Sequence, residues 1–112
     1  MSDRLPTALE VSALVRRVNG EGGFAMVLAK GEPDAGAILL ILMENGRDPA
    51  AYERMPSMDG TRQWHCAKRA DSQNSEDFDA WIARRRSQDS DLWVVELDIA
   101  GAERFIGIPP RS

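Results

Sequence analysis

Two carboxylates near the end of the chain, Glu96 and Asp98, are the first candidates for chemistry. They lie two positions apart in a segment with strand-like alternation, so their side chains project from the same face. Paired carboxylates bind divalent metal ions or act as acid and base in hydrolysis. The simpler interpretation, a solvated end of a strand face, is favoured because no lysine lies next to the pair.

The only histidine, His65, and the only cysteine, Cys66, are adjacent in another predicted strand. A nucleophilic Cys–His pair requires converging side chains, whereas neighbours in a strand point to opposite faces. We therefore expect a partly exposed His65 and a buried Cys66. A zinc site takes about four ligands, so no metal site is predicted, and no motif calls for a cofactor.

Three consecutive arginines, Arg84, Arg85 and Arg86, end a predicted helix and are candidate binding residues. Consecutive helical residues point about 100° apart, so the three do not form one basic stripe. Complementing the helix dipole is the simpler role. Arg85 follows Trp81 by four positions, so it can stack on the indole or reach an acid such as Glu96.

Composition and charge narrow the classes of function. The net charge of −4 disfavours nucleic-acid binding, which depends on neutralising phosphates, although Trp64 near Arg62 is a weak candidate for base stacking. No apolar stretch approaches the length of a membrane span. The amino terminus lacks the pattern of a secretion signal, so we expect a cytoplasmic protein.

The first helix has the clearest sequence signals. Thr7 and Glu10 have the spacing of a capping box, and an apolar stripe follows at helical spacing. Asn19 and Gly20 supply a left-handed stop. The pattern predicts a helix over residues 7–19.

Turn signals divide the rest of the chain into short elements. The predicted strands are residues 24–30, 37–44, 51–55, 61–67 and 92–99, with a short edge strand at 103–108 and a second helix at 75–88, capped by Asn74 or Ser75. Short turns favour antiparallel pairing. We predict a single two-layer α+β domain over residues 1–112, with about five antiparallel strands and two helices, in the order helix, four strands, helix, strand.

One strand is apolar at every position. Its six consecutive residues are Ile38, Leu39, Leu40, Ile41, Leu42 and Met43. Such a strand lies in the middle of a sheet, with both faces covered. A helix covers about 10 Å of a sheet roughly 24 Å wide, so we favour both helices on one face. The bare face then predicts a homodimer through residues 38–43, whereas one helix on each face would permit a monomer.

Two segments resemble a known family. The first segment begins with Arg16-Arg17 at the end of an apolar helix and continues with Gly-Gly-Phe. It ends with Lys-Gly-Glu-Pro-Asp-Ala-Gly-Ala at 30–37, before an aliphatic strand. The second segment is Arg-Arg-Arg-Ser-Gln-Asp-Ser-Asp-Leu-Trp-Val-Val-Glu at 84–96. Together they resemble the small bacterial domain-of-unknown-function family 1491, from Leu5 to Ile106. Ser90 stands where that family would have a proline, which loosens this turn. The resemblance implies one domain over this length and supplies no catalytic residues.

Three functions follow from these patterns. We favour a non-catalytic domain that acts through self-association or an unidentified protein partner, because the apolar strand is accompanied by no convergent catalytic set. The alternative is a small metal-assisted or hydrolytic enzyme that uses Glu96 and Asp98, with His65 or Arg85. A weaker alternative is a nucleic-acid-associated protein that uses the three arginines.

Overall fold

The computed structural model describes residues 5–56 and 58–107, which contain two α-helices and five strands in the predicted α+β order. The helices are α1 (Thr7–Gly20) and α2 (Ser75–Gln88); the strands are β1 (Phe24–Ala29), β2 (Ile38–Glu44), β3 (Arg47–Pro56), β4 (Arg62–Arg69) and β5 (Trp93–Asp98). The largest change in length is in β3, which begins four residues before the predicted strand at 51–55.

The predicted edge strand at 103–108 is wrong. Residues Ala102–Ile106 form a short 3₁₀ helix instead. Gly101 and Gly107 on either side have left-handed backbone angles, with φ of 64° and 75°, which bend the chain out of the extended path. Residue 108 lies outside the described residues.

The sheet is mixed, so the prediction of a purely antiparallel sheet is wrong. Its strand order is β1-β5-β2-β3-β4, with β5 parallel to β2 and the other neighbours antiparallel. The physical reason is the long connection through α2, which carries the chain from β4 back across the sheet. That crossover inserts β5 between β1 and β2 and makes it parallel to β2.

Both faces of β2 are covered within one chain. Leu40 and Leu42 pack in one cluster with Val11 and Val18 of α1 and with the 3₁₀ helix, on what we call the α1 face. Leu39 and Ile41 pack in a second cluster with Phe78, on the α2 face. The expectation that both faces of this strand are buried is confirmed.

The two helices therefore lie on opposite faces, and the favoured two-layer arrangement is wrong. Residues Ile38 to Leu42 are at most 4% exposed and Met43 is half-buried, so the bare face from which the homodimer was predicted is absent over residues 38–42. One sheet face does not need two helices side by side. Instead, α1 covers the β1–β5 end of one face, and α2 lies at the β3–β4 end of the other.

The diagonal arrangement leaves half of each face without a helix. On one face α1 packs over β1 and β5. On the other, α2 reaches β3 and β4, where Arg85 pairs with Glu53 and Lys68 with Asp77. A helix about 10 Å wide covers roughly two strands spaced about 4.8 Å apart. The β1 end of the α2 face and the β3–β4 end of the α1 face are therefore without a helix.

The start of α1 is fixed by tertiary contacts, not by the predicted capping box. The helix begins at Thr7, whose hydroxyl donates a hydrogen bond to the carbonyl oxygen of Gly36 at 2.8 Å. Glu10 bonds to Arg54 of β3 instead of the helix terminus. The left-handed residue after α1 is Gly22, with φ of 91°, not Gly20.

For α2, the predicted cap at Asn74 is confirmed, because its side chain accepts from the amide of Asp77.

The loop between β1 and β2 packs tightly against the turn that precedes β5. The amide of Glu32 donates to the carbonyl oxygen of Asp91 at 3.0 Å, and the indole of Trp93 donates to the carbonyl oxygen of Glu32 at 2.8 Å. At Gly31, a Cβ atom would lie 2.0 Å from that Asp91 oxygen. Only glycine allows the two backbones to approach so closely.

We expect Gly31→Ala to lower the free energy of unfolding by at least about 2 kcal/mol, because a backbone atom of the β5 turn must move. Gly20→Ala is the matched control. A Cβ there meets nothing within 4 Å, so alanine should raise stability by up to about 1 kcal/mol through its helix propensity. Urea unfolding of both variants measures the difference. Equal stabilities would contradict the close approach.

None of the helices in residues 5–56 and 58–107 has the length and apolar composition needed to cross a membrane.

Candidate functional site

Edge strand β1 carries three exposed apolar side chains. Phe24 is 77% exposed, Met26 59% and Leu28 41%; we call these three residues the β1 patch. The alternate residues Ala25 and Val27 pack against the α1-face cluster. This patch was not predicted from the sequence, although an uninterrupted run of apolar residues marks β1 as it marks β2.

The first candidate carboxylates lie beside the β1 patch. In the antiparallel pairing of β1 with β5, Phe24 is opposite Asp98 and Met26 is opposite Glu96. Because direct partners share a face, the two acids and the two apolar side chains lie together on the α2 face. Parallel pairing places Met43 of β2 next to Asp98 on the same face.

Asp98 has a structural role in this arrangement. Its two carboxylate oxygens accept hydrogen bonds from the backbone amides of Asn45 and Gly46, at 2.6 Å and 2.9 Å. These bonds hold the β2–β3 turn, where Asn45 and Gly46 have φ of 53° and 71°. Glu96 is half-buried. Among the residues described, no cluster of three or more metal-ligating side chains occurs.

His65 and Cys66 are not brought together, as predicted. His65 is paired with Glu53 and Cys66 with Tyr52, so their side chains point to opposite faces. Both residues are exposed, so the expectation of a buried Cys66 is wrong. The reason is that β4 is an edge strand and no helix lies over this part of the α1 face.

The three arginines of α2 do not form one basic stripe, as predicted. Arg84 and Arg86 are exposed, whereas Arg85 is half-buried. Its Nε donates to the carboxylate of Glu53 in β3 at 2.7 Å, and a second guanidinium nitrogen bonds the same oxygen. The partner is therefore Glu53 and not Glu96, because α2 lies over β3 and does not reach that end of β5.

Adjacent residues of β3 fasten the two helices to the sheet. Glu53 points to the α2 face and holds Arg85, while Arg54 points to the α1 face and holds Glu10 through two hydrogen bonds of 2.5 Å and 3.0 Å. Arg54 also lies over the ring of Trp64, 4.8 Å from its centroid. This stacking gives Trp64 a packing role on the sheet.

A third ion pair joins α2 to β4. The Nζ of Lys68 lies 2.7 Å from a carboxylate oxygen of Asp77 in the first turn of α2. The hydrogen bond and the charge of Lys68 hold the pKa of Asp77 below its usual value of 3.8, with a smaller contribution from Arg84. A lowered pKa favours the charged carboxylate in the folded chain.

The chain is similar to one protein family and to solved structures from two bacteria. The family described as protein of unknown function (DUF1491) matches residues 5–107. The crystal structure of a DUF1491 family protein from Caulobacter crescentus CB15 has a TM-score of 0.81 and 32% identity, covering 95% of this chain and 98% of that one. A solution structure from A. tumefaciens has a TM-score of 0.75 and 31% identity, covering 97% and 99%. No curated protein matches the chain.

We expect Glu10→Gln to lower the free energy of unfolding by about 1–3 kcal/mol, because it leaves the guanidinium of Arg54 without its carboxylate in a mostly buried position. The side chain of Arg54 is only 15% exposed. Glu21→Gln is the control, because Glu21 pairs with Arg17 and Arg104 at the surface. Glu21→Gln should lower the free energy of unfolding by less than about 0.5 kcal/mol. Equal losses in urea unfolding would contradict the role of Arg54.

We expect Lys68→Met to raise the pKa of Asp77 most of the way to its usual value, because Arg84 remains nearby. A carboxyl with a lowered pKa in the folded state stabilises the fold above its unfolded pKa and loses that contribution as pH falls. The wild-type chain should therefore lose the contribution of this pair below about pH 4, and the variant should lack it. NMR titration of the Asp77 carboxyl carbon measures the change; an unmoved pKa would contradict the pairing.

Proposed function

The chain belongs to the DUF1491 family, and for this member of a family of unknown function we propose a non-catalytic role in assembly, in which β1 pairs with β1 of a second copy. The exposure of the β1 patch carries the proposal. Edge pairing brings these side chains into contact with apolar side chains of the second copy across the strand pair, and each such pair contributes about 0.2–1 kcal/mol.

The backbone of β1 supports pairing with another strand. Within residues 5–56 and 58–107 it pairs only with β5, so one side of the strand presents N–H and C=O groups that no other described strand binds. Such groups readily accept an added strand. The other edge strand, β4, carries Lys68 and Arg69, and charged side chains discourage edge pairing. The β1 edge is therefore the better match for an apolar partner.

A two-fold axis at Met26 makes the β1 patch complementary to itself. In this antiparallel register Phe24 lies opposite Leu28 of the second copy, Met26 lies opposite the same residue of that copy, and Ala25 lies opposite Val27. Every cross-strand pair is then apolar, and such pairs stabilise a sheet. The irregularity between Val27 and Ala29 falls at Leu28, so the pair of Phe24 with Leu28 ends the regular pairing. A two-fold contact closes on itself and does not propagate into fibres.

Charge does not oppose this pairing. Glu96 is the cross-strand neighbour of Met26, so the two copies of Glu96 would be separated by three strand spacings, about 14 Å. This separation exceeds the Debye length of about 8 Å at physiological ionic strength, so salt screens the repulsion.

The contact is small. A stable dimer buries about 800 Å² on each partner, more than a five-residue strand pair provides. We therefore expect a reversible dimer with a dissociation constant between micromolar and millimolar.

We expect Met26→Lys to abolish the dimer, because it places two ammonium groups opposite each other in the centre of the contact. Sedimentation velocity from about 10 μM to 1 mM, a range around a weak dissociation constant, should show a rising sedimentation coefficient for the wild-type chain. The variant should stay at the value of a 12.4 kDa monomer. The variant should fold like the wild-type chain, since position 26 is 59% exposed. Circular dichroism checks that it does.

Met58→Lys is the matched control, because Met58 is fully exposed outside the β1 patch. This variant should dimerise like the wild-type chain. A wild-type chain that remains monomeric over the whole range would overturn the proposal. So would a Met26→Lys variant that dimerises as strongly as the Met58→Lys control.

A further inference from the structure

A cavity of about 530 Å³ opens on the α1 face at the end opposite to α1. It lies between the β2–β3 hairpin, the last residue of β4 and the segment that follows β5. Its size falls within the range of small-molecule sites, roughly 300–1,000 Å³. The β1 patch belongs to the opposite end of the sheet, so this cavity is independent of the proposed assembly.

The floor of the cavity is apolar. Leu42, Ala50, Ile99 and Ala102 line it, and each is at most 9% exposed. The small side chain of Ala50 leaves room above the sheet, and the 3₁₀ helix that begins at Ala102 forms one wall. An apolar group of a ligand would therefore contact hydrocarbon on several sides.

One wall offers hydrogen-bond donors. The hydroxyl oxygen of Tyr52 accepts from a guanidinium nitrogen of Arg69 at 3.4 Å. Within residues 5–56 and 58–107, the hydroxyl proton of Tyr52 has no acceptor and Arg69 has no carboxylate partner. The pair therefore presents a phenolic O–H and a guanidinium, which together bind an acceptor-only anion.

The rim limits the charge that the ligand can carry. Arg47 adds a second cation, whereas Glu44, Asp48 and Glu103 also line the cavity. Two cations and three acids repel a multiply charged anion such as phosphate. They still permit a single carboxylate placed against Arg69 and Tyr52, away from the exposed acids.

We propose that this cavity binds a small organic monocarboxylate with a compact apolar body. The carboxylate accepts hydrogen bonds from Arg69 and Tyr52, and the apolar body lies over Leu42 and Ala50. Benzoate is a suitable probe, because its ring matches the floor and its carboxylate is the only charged group. A ligand of this size binds with a dissociation constant on the order of millimolar.

The test is an amide NMR titration of the isotope-labelled chain with benzoate, benzamide and inorganic phosphate in parallel. Benzamide has the same shape without the charge, and phosphate has charge without the ring. We expect saturable shifts at Ala50 and Ala102 with benzoate only. Arg69→Gln should weaken binding about tenfold, since a bond to a charged group is lost, and Tyr52→Phe should weaken it less. Arg86→Gln, an exposed arginine of α2, should leave binding unchanged.

Three results would overturn the proposal. The first is the absence of saturable shifts at the cavity with benzoate. The second is equal binding of benzamide or phosphate, which would mean that ring or charge alone suffices. The third is equal weakening by Arg69→Gln and Arg86→Gln, which would mean that the carboxylate binds non-specifically through the charge of the protein surface.

Discussion

Strand β2 has hydrocarbon on both faces, and the fold depends on covering both. Two helices are available, and one lies on each face. Because a helix spans about two strands of a five-stranded sheet, each face keeps an end that no α-helix covers. Phe24 and Met26 of the β1 patch lie at the open end of the α2 face, and the cavity beside Tyr52 lies at the open end of the α1 face. Both candidate sites thus follow from the same packing constraint.

One charged residue of β3 ties each helix to the sheet. Neighbouring strand residues point to opposite faces, so the adjacent pair Glu53 and Arg54 holds a partner on each side of the sheet. Arg85 of α2 is the partner on one face and Glu10 of α1 on the other. These bonds are directional, whereas apolar packing alone would allow a helix to slide. They fasten one helix to each face of the sheet at the same strand.

Local chemistry made much of the fold predictable. Turn residues and apolar periodicity placed both helices and all five strands to within a few residues, and the apolar run of β2 predicted burial of both its faces. The parallel pairing of β2 with β5 was not predictable, because it depends on how the chain crosses the sheet through α2. The capping box failed for a similar reason. Glu10 lies 44 residues from Arg54, and no local pattern reveals that contact.

The candidate sites were less predictable than the fold. β1 and β2 are both continuous apolar runs, and only their places in the strand order make one an open edge and the other a buried centre. The opposite directions of His65 and Cys66 were predictable, since strand geometry is local. The bonds of Asp98 to the β2–β3 turn and of Arg85 to Glu53 were not, because both partners are distant in sequence.

The two helices cover opposite faces of β2. Nuclear Overhauser effects in a chain with labelled methyl groups and rings measure which side chains each helix contacts. Helices on opposite faces give contacts from Val11 or Val18 of α1 to Leu40 or Leu42, and contacts from Phe78 of α2 to the odd-numbered residues of β2. Contacts from both helices to the same set of β2 side chains would contradict it.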